Sequence, residues 1–241
     1  MHQSATSKIV GQPFMHVSHL TKSYRQANQE QIIFQDVSFS MGRGETVALL
    51  GRSGSGKSSL LNIISGIDTP TSGQVTIDGE CLTAMNEKQR TLFRRRYIGF
   101  VFQFFNLIPT LTCEENLLLP LTLQGKVSVA RRQQALALLA EVGLASHLQR
   151  FPEQLSGGEQ QRLAIVRALV HSPSLVLADE PTGNLDAETA EHILNLLRRL
   201  VKETHIALLL VTHSNEAALL ADRVIRIHHG QLIEDLPVEM A

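Results

Sequence analysis

The chain has 241 residues, 43% of them hydrophobic, and its 22 Lys and Arg against 23 Asp and Glu leave a formal net charge of −1. That length suits one large α/β domain or a core carrying a subdomain. The charge argues against a dedicated nucleic-acid binder, which carries a basic excess. The two cysteines, Cys81 and Cys113, form neither a metal-ligand spacing nor a disulfide framework, which fits a reducing compartment.

Residues 1–13 read as a loose tail without the apolar stretch of a secretory signal. Strand patterns follow at 14–20 and 32–41, the second ending in the alternation Val37, Ser38, Phe39, Ser40, Met41. Thr46–Leu50 is a short apolar run that reads as a buried strand, and 59–65 reads as a helix. Between them stand Gly51, Arg52, Ser53, Gly54, Ser55, Gly56, Lys57 and Ser58, a full match to the phosphate loop G-x-x-x-x-G-K-[ST] in the strand–loop–helix setting it needs. Its glycines let backbone N–H groups converge on phosphate oxygens, and the start of the next helix adds partial positive charge. Lys57 is placed to reach the β- and γ-phosphates, Ser58 to ligate Mg²⁺, and Ser59 completes the set of nucleotide contacts.

Further short strands are expected at 74–78 and 98–102, with the run Arg94–Arg96 between them as a solvated face. From about 104 to 170 the pattern turns mainly helical, and this stretch reads as an insertion between two nucleotide-handling halves. Strand signals return at 175–178 and 207–211, separated by a helix carrying Ile193, Leu196, Leu197, Leu200 and Val201 on one stripe. Residues 224–227 and 231–233 look like a closing hairpin. The strand–helix alternation at both ends implies an α/β fold with a mostly parallel sheet. The longest aliphatic run, Ile206–Val211, is far short of the about 20 residues of a spanning helix. A cytosolic chain is therefore expected, with any membrane role reached through a partner.

Two further clusters bear on chemistry. The strand 175–178 runs into Asp179 and Glu180, which puts two carboxylates at a sheet edge where ligands gather. Asp179 can share the Mg²⁺ shell with Ser58 while Glu180 polarises a water. Ser156, Gly157, Gly158 and Glu159 form a capping box at the start of a helix. Helix entry does not need the paired glycines, but they permit close approach by a second phosphate.

Together the phosphate loop, the Leu155–Glu159 signature and the Leu177–Glu180 segment resemble the nucleotide-binding subunit of ABC transporters, over roughly residues 14–235. The resemblance implies a P-loop NTPase with an N-terminal antiparallel β subdomain and an inserted helical subdomain at about 104–170. It also implies a head-to-tail dimer of two copies around two ATP molecules, each phosphate loop facing the partner's Ser156–Gly158. Tyr24 sits where the family stacks an aromatic on adenine. Gln103 matches the glutamine that senses Mg²⁺, water and the membrane partner. His213 matches the histidine that contacts the γ-phosphate, although Ser214 follows it where the family commonly has Asp. Asp186 belongs to a segment that crosses the dimer interface. Catalysis is thus expected from Glu180, His213, Gln103 and Lys57, with Mg²⁺ at Ser58, Gln103 and Asp179.

The stretches 181–186 and 104–112, with Glu115, Asn116, Leu119 and Pro120, look like the lipoprotein-releasing and macrolide-exporter branch. That branch implies a permease with a large periplasmic domain, docked through Gln103–Ile108, with a periplasmic adaptor reached through the permease. The resemblance places the subunit on the cytoplasmic face of the inner membrane. The apolar Phe104, Phe105, Leu107 and Ile108 read either as this docking surface or as core of the helical insertion. The rival to a transporter subunit is a soluble ATPase of the same superfamily. Those usually carry two cassettes, a long coiled coil or zinc cysteines, and none is present here.

Overall fold

The computed structural model describes residues 13–26, 29–52, 54–228 and 230–235. Residues 1–12 of the expected tail, Ser53 of the phosphate loop and His229 lie outside the described residues. In chain order the elements are β1 (Met15–Gln26), β2 (Gln29–Met41), β3 (Thr46–Leu50), α1 (Lys57–Ile64), β4 (Ser72–Ile77), β5 (Glu80–Cys81), α2 (Glu87–Tyr97) and β6 (Ile98–Phe102). There follow α3 (Cys113–Gln124), α4 (Val129–Glu141), α5 (Gly157–Leu169), β7 (Leu175–Asp179), α6 (Ala187–Glu203), β8 (Ala207–Thr212), α7 (Asn215–Ala218), β9 (Arg223–His228) and β10 (Gln231–Asp235).

The strands form two sheets. One has the order β2-β1-β4-β5, with every pairing antiparallel. The other has the order β10-β9-β3-β8-β7-β6 and is parallel throughout except for the β9–β10 hairpin. Strands buried on both faces read as continuous apolar runs, and β3 and β8 are buried at every position. Successive strand side chains point to opposite faces, so β7 divides its residues between two cores. Leu175 and Leu177 join the cluster between the two sheets, which includes Met15, Phe34, Leu60 and Ile64. Val176 and Ala178 join the cluster on the opposite face, built largely from α3 to α6.

Of the stripe expected before β8, Ile193, Leu197, Leu200 and Val201 are buried in that second cluster and Leu196 packs half-buried against it; on α5, Leu163, Val166 and Leu169 are buried there and Val170 packs against it. The first two strands run longer than their apolar patterns, because main-chain pairing between β1 and β2 continues to Gln26 and Gln29. Helix α2 has no apolar stripe: Phe93 is its one buried residue, and a capping box between Asn86 and Gln89 starts it. Only part of the Arg94–Arg96 run is a solvated face. Arg95 and Arg96 are exposed, while Arg94 bonds the Gly66 carbonyl and the Thr91 hydroxyl and pairs with Glu87 at 3.4 Å.

His171, in the turn after α5, is buried against the start of β6, with Nε2 3.1 Å from the Ile98 carbonyl and, among the described residues, no partner for Nδ1. Burial holds its pKa below the usual 6.5, outweighing the Ile98 hydrogen bond, and the Arg131 charge adds to the depression. The fold therefore accepts the neutral ring, and this part of the stability is lost as pH falls from about 6.5 through the lower folded value. His171→Asn should flatten the acid limb of the plot of Tm against pH between about pH 7 and 5. An unchanged slope in thermal denaturation would show that His171 does not set it.

Candidate nucleotide site

Register brings the expected groups to one edge. Leu50 at the end of β3 pairs with Thr212 of β8, Val211 pairs with Asp179 of β7, and Asp179 pairs with Phe102 of β6. The phosphate loop, His213, Glu180 and Gln103 follow these positions, at the carboxyl end of an open parallel sheet where ligands bind. A cavity of about 630 Å³ opens there. Its wall comprises Arg52, residues 54–59, Gln103, Asp179, Glu180, His213 and Ile33 from β2.

Helix α1 begins at the cavity. Helices α2 to α7 each start with a side-chain cap, from Asn86, Thr112, Ser128, Ser156, Asp186 and Ser214. Helix α1 starts at Gly56, which supplies none. Its first N–H groups therefore lack the side-chain acceptor that the other helices have, and these are the donors that an anion satisfies. Gly56 has φ 91°, and a Cβ there would meet Ile33 Cγ2 at 2.7 Å, so the turn requires glycine twice over. Lys57 is buried, with Nζ donating to the Gly51 carbonyl at 2.7 Å and the Arg52 carbonyl at 3.1 Å. Ser55 Oγ is buried without a partner among the described residues. A cation, a hydroxyl and uncapped N–H groups in one pocket fit a polyphosphate.

The acidic side is built to hold charge apart. Burial raises the Asp179 pKa above the usual carboxylate value and neighbouring Glu180 pushes the same way, opposed by a hydrogen bond from the Ser58 hydroxyl and by the Lys57 charge. Glu180 stands in a left-handed conformation, φ 47°. Its Oε1 lies 2.8 Å from His213 Nδ1, and Oε2 accepts the Thr212 hydroxyl at 3.4 Å. The carboxylate is mostly buried while the imidazole is 67% exposed, which suits a positioned base beside a group that reaches outward.

Gln103 is fixed by the segment following Glu180. Its carbonyl accepts Asn184 Nδ2 at 2.8 Å, and a Cβ on Gly183 would lie 2.7 Å from its Nε2. Beyond Phe104, both Phe105 and Asn106 have positive φ, 60° and 48°. For Phe105 that costs about 1–2 kcal/mol. Two hydrogen bonds hold the pair, from Arg167 of α5 to the Asn106 carbonyl at 2.6 Å and the Phe105 carbonyl at 2.8 Å. Buried Asn116 clasps the following turn through the Ile108 N–H and the Ile108 and Leu111 carbonyls.

Other expected contacts lie elsewhere. Tyr24 is outside the cavity wall; its hydroxyl donates to Asp68 at 3.1 Å, and Lys22 Nζ lies 4.5 Å from its ring centroid. Asp186 is the cap of α6, accepting from the Thr189 N–H at 3.0 Å, and does not reach the cavity. Ser156 and Glu159 close the expected capping box, at 2.8 and 3.3 Å, and their turn is also outside the wall. Gly158 has a packing reason to be glycine, because a Cβ there would meet Thr189 of α6 at 2.9 Å. Gly157 has only ordinary contacts, with Leu185 and Phe105. Sequence reasoning missed Ile33, Arg167 and buried Gln161, whose Nε2 donates to the Pro181 carbonyl at 2.6 Å. For Gln161 and Arg167 the one available signal was their position on α5, and for Ile33 its place in the strand pattern of β2.

The chain matches the family model described as ABC transporter over residues 34–183. It is 50% identical over 225 residues to an uncharacterised ABC transporter ATP-binding protein of Mycobacterium tuberculosis, covering 92% of this chain and 90% of that one. It is 45% identical over 216 residues to the lipoprotein-releasing system ATP-binding protein LolD of Pseudomonas syringae, covering 90% and 95%. The solved dimeric ATP-binding cassette MJ0796, in a post-hydrolysis state bound to ADP and Pi, superposes with TM-score 0.85 at 39% identity, covering 94% of this chain and 100% of that one. With the uncapped phosphate loop, paired carboxylates and signature turn on one scaffold, these likenesses show that the chain belongs to the ABC transporter family, as an ATP-binding and ATP-hydrolysing cassette.

Proposed function

We propose that this cassette drives a membrane permease by ATP-dependent head-to-tail dimerisation, and that the cargo is a lipoprotein, drug or other amphipathic molecule handled by mechanotransmission. The observation that carries the dimer is the division of the site. The phosphate loop and base line one cavity, while the exposed Ser156 turn stands outside it. A second copy supplies that turn. The dimeric MJ0796 cassette supports this arrangement, and the likeness to LolD supports the class of cargo.

In this reading Lys57, Ser55 and the first turn of α1 hold the phosphates, and Tyr24 stacks on the adenine with Lys22 behind it. Glu180 takes a proton from the attacking water, His213 orients the γ-phosphate, and Gln103 reports on both. The Ser58 hydroxyl and Asp179 carboxylate fit Mg²⁺, which keeps several waters and needs few protein ligands; when bound it would neutralise phosphate charge. A cation beside Asp179 also relieves the cost of holding that buried carboxylate ionised.

Docking to the permease is assigned to Phe104 and the adjoining apolar groove of about 460 Å³, walled in part by Phe100, Phe102, Leu119 and Leu123. Phe104 is 72% exposed, whereas Phe105 is half-buried and Leu107 packs against the helical core. Among the described residues no helix is long and apolar enough to cross a membrane. In this reading attachment at the cytoplasmic face runs through the permease, with any periplasmic adaptor beyond it. Phe104→Glu should abolish co-purification with the permease and leave Tm and basal ATP hydrolysis unchanged. Undiminished co-purification would move the docking site elsewhere.

A further inference from the structure

Arg167 belongs to none of the roles above. Burial pulls its pKa down to about 10, and among the described residues no carboxylate pairs with it. A half-buried guanidinium without a counter-ion is costly unless hydrogen bonds satisfy its donors. Its two described bonds both go to the strained pair after Gln103, one to each left-handed residue. Arg167 and Asn106 also line the apolar groove, so one side chain touches both the groove and the loop. On the other side Gln103 is already held by Asn184 and backed by Gly183.

We infer that Arg167 is a positioning residue for hydrolysis: its forked donors lock Phe105 and Asn106 in the left-handed turn that presents Gln103 to the cavity. The fork matters because a guanidinium reaches two acceptors in fixed geometry and an ammonium is a point donor. Displacing the groove wall then shifts Gln103 through a single side chain, with no need for the phosphate loop to move. This inference rests on the proposed role of Gln103 at the phosphate end of the cavity.

The test is a double-mutant cycle in the full-length cassette, using Arg167→Lys, Gln103→Ala and the pair, with kcat, KM for ATP and Tm measured for each. Arg167→Met serves as a second variant that removes every donor. Arg167→Lys should lower kcat by about 10- to 100-fold while KM stays within about twofold, since the phosphate cradle is untouched. Gln103→Ala should lower kcat comparably, and the pair should be no worse than the worse single variant, because both changes remove one function. Unreduced kcat in Arg167→Lys, or losses that multiply in the pair, would overturn the inference. Normal kcat in Gln103→Ala would instead remove the role of Gln103 and the inference with it. A fall in Tm alone, with kcat per folded molecule unchanged, would make Arg167 structural.

Discussion

Glu180→Gln is expected to lower kcat by about 10²- to 10⁴-fold, the range for losing a positioned general base. The substitution is nearly isosteric, so the amide can still accept the Thr212 hydroxyl and lie beside His213, where the carboxylate now stands at 3.4 and 2.8 Å. What it removes is the capacity to take a proton. ATP binding should survive, because Lys57 and the first turn of α1 are unaltered. The cassette should therefore accumulate as an ATP-bound dimer, visible as a doubled mass by light scattering when ATP is present. Purified Glu180→Gln with undiminished turnover would assign the base elsewhere.

The second large effect tests the composite site. Ser156→Arg places a bulky cation on the exposed turn, and Lys57→Ala removes the buried cation of the phosphate loop. Each homodimer should lose hydrolysis by at least about 100-fold. In a mixed dimer one site joins the intact Lys57 of the first subunit to the intact Ser156 of the second, and the other site carries both lesions. Equal mixing gives heterodimers for half the population, each with one working site, so recovery should reach at most about a quarter of the wild-type rate. An active Ser156→Arg homodimer, or no recovery on mixing, would contradict the head-to-tail arrangement.

The parts of this molecule that sequence makes legible are those governed by local rules. The phosphate loop is a contiguous pattern, Asp179 and Glu180 follow an apolar run, and the Ser156–Glu159 box is a three-residue relation. Each stood where the pattern put it. The illegible parts depend on what arrives from far along the chain. Helix α2 has no stripe to announce it, because it buries only Phe93 and relies on its cap. Gly158 reads as room for a ligand, and the sequence gives no sign that it is also clearance for Thr189. Phe105 and Phe104 are neighbours with the same side chain, yet the left-handed turn leaves one exposed and the other half-buried. Arg167 reaches carbonyls 61 and 62 residues away, and no spacing rule points to such a bond.

The bare start of α1 carries a lesson about selection. A serine, threonine, aspartate or asparagine at such a position ordinarily adds about 0.5–2 kcal/mol of stability, and the chain takes that gain at six other helices. Position 56 forgoes it, and the glycine there also carries the entropic penalty of a flexible backbone. Here that gain is closed off by the fold itself: a capping side chain would meet Ile33 Cγ2 and strain the left-handed backbone, so a substitution that filled the anion site would also damage the turn that makes it. The open end of α1 is thus guarded against drift, because the backbone that leaves it uncapped admits no residue able to cap it.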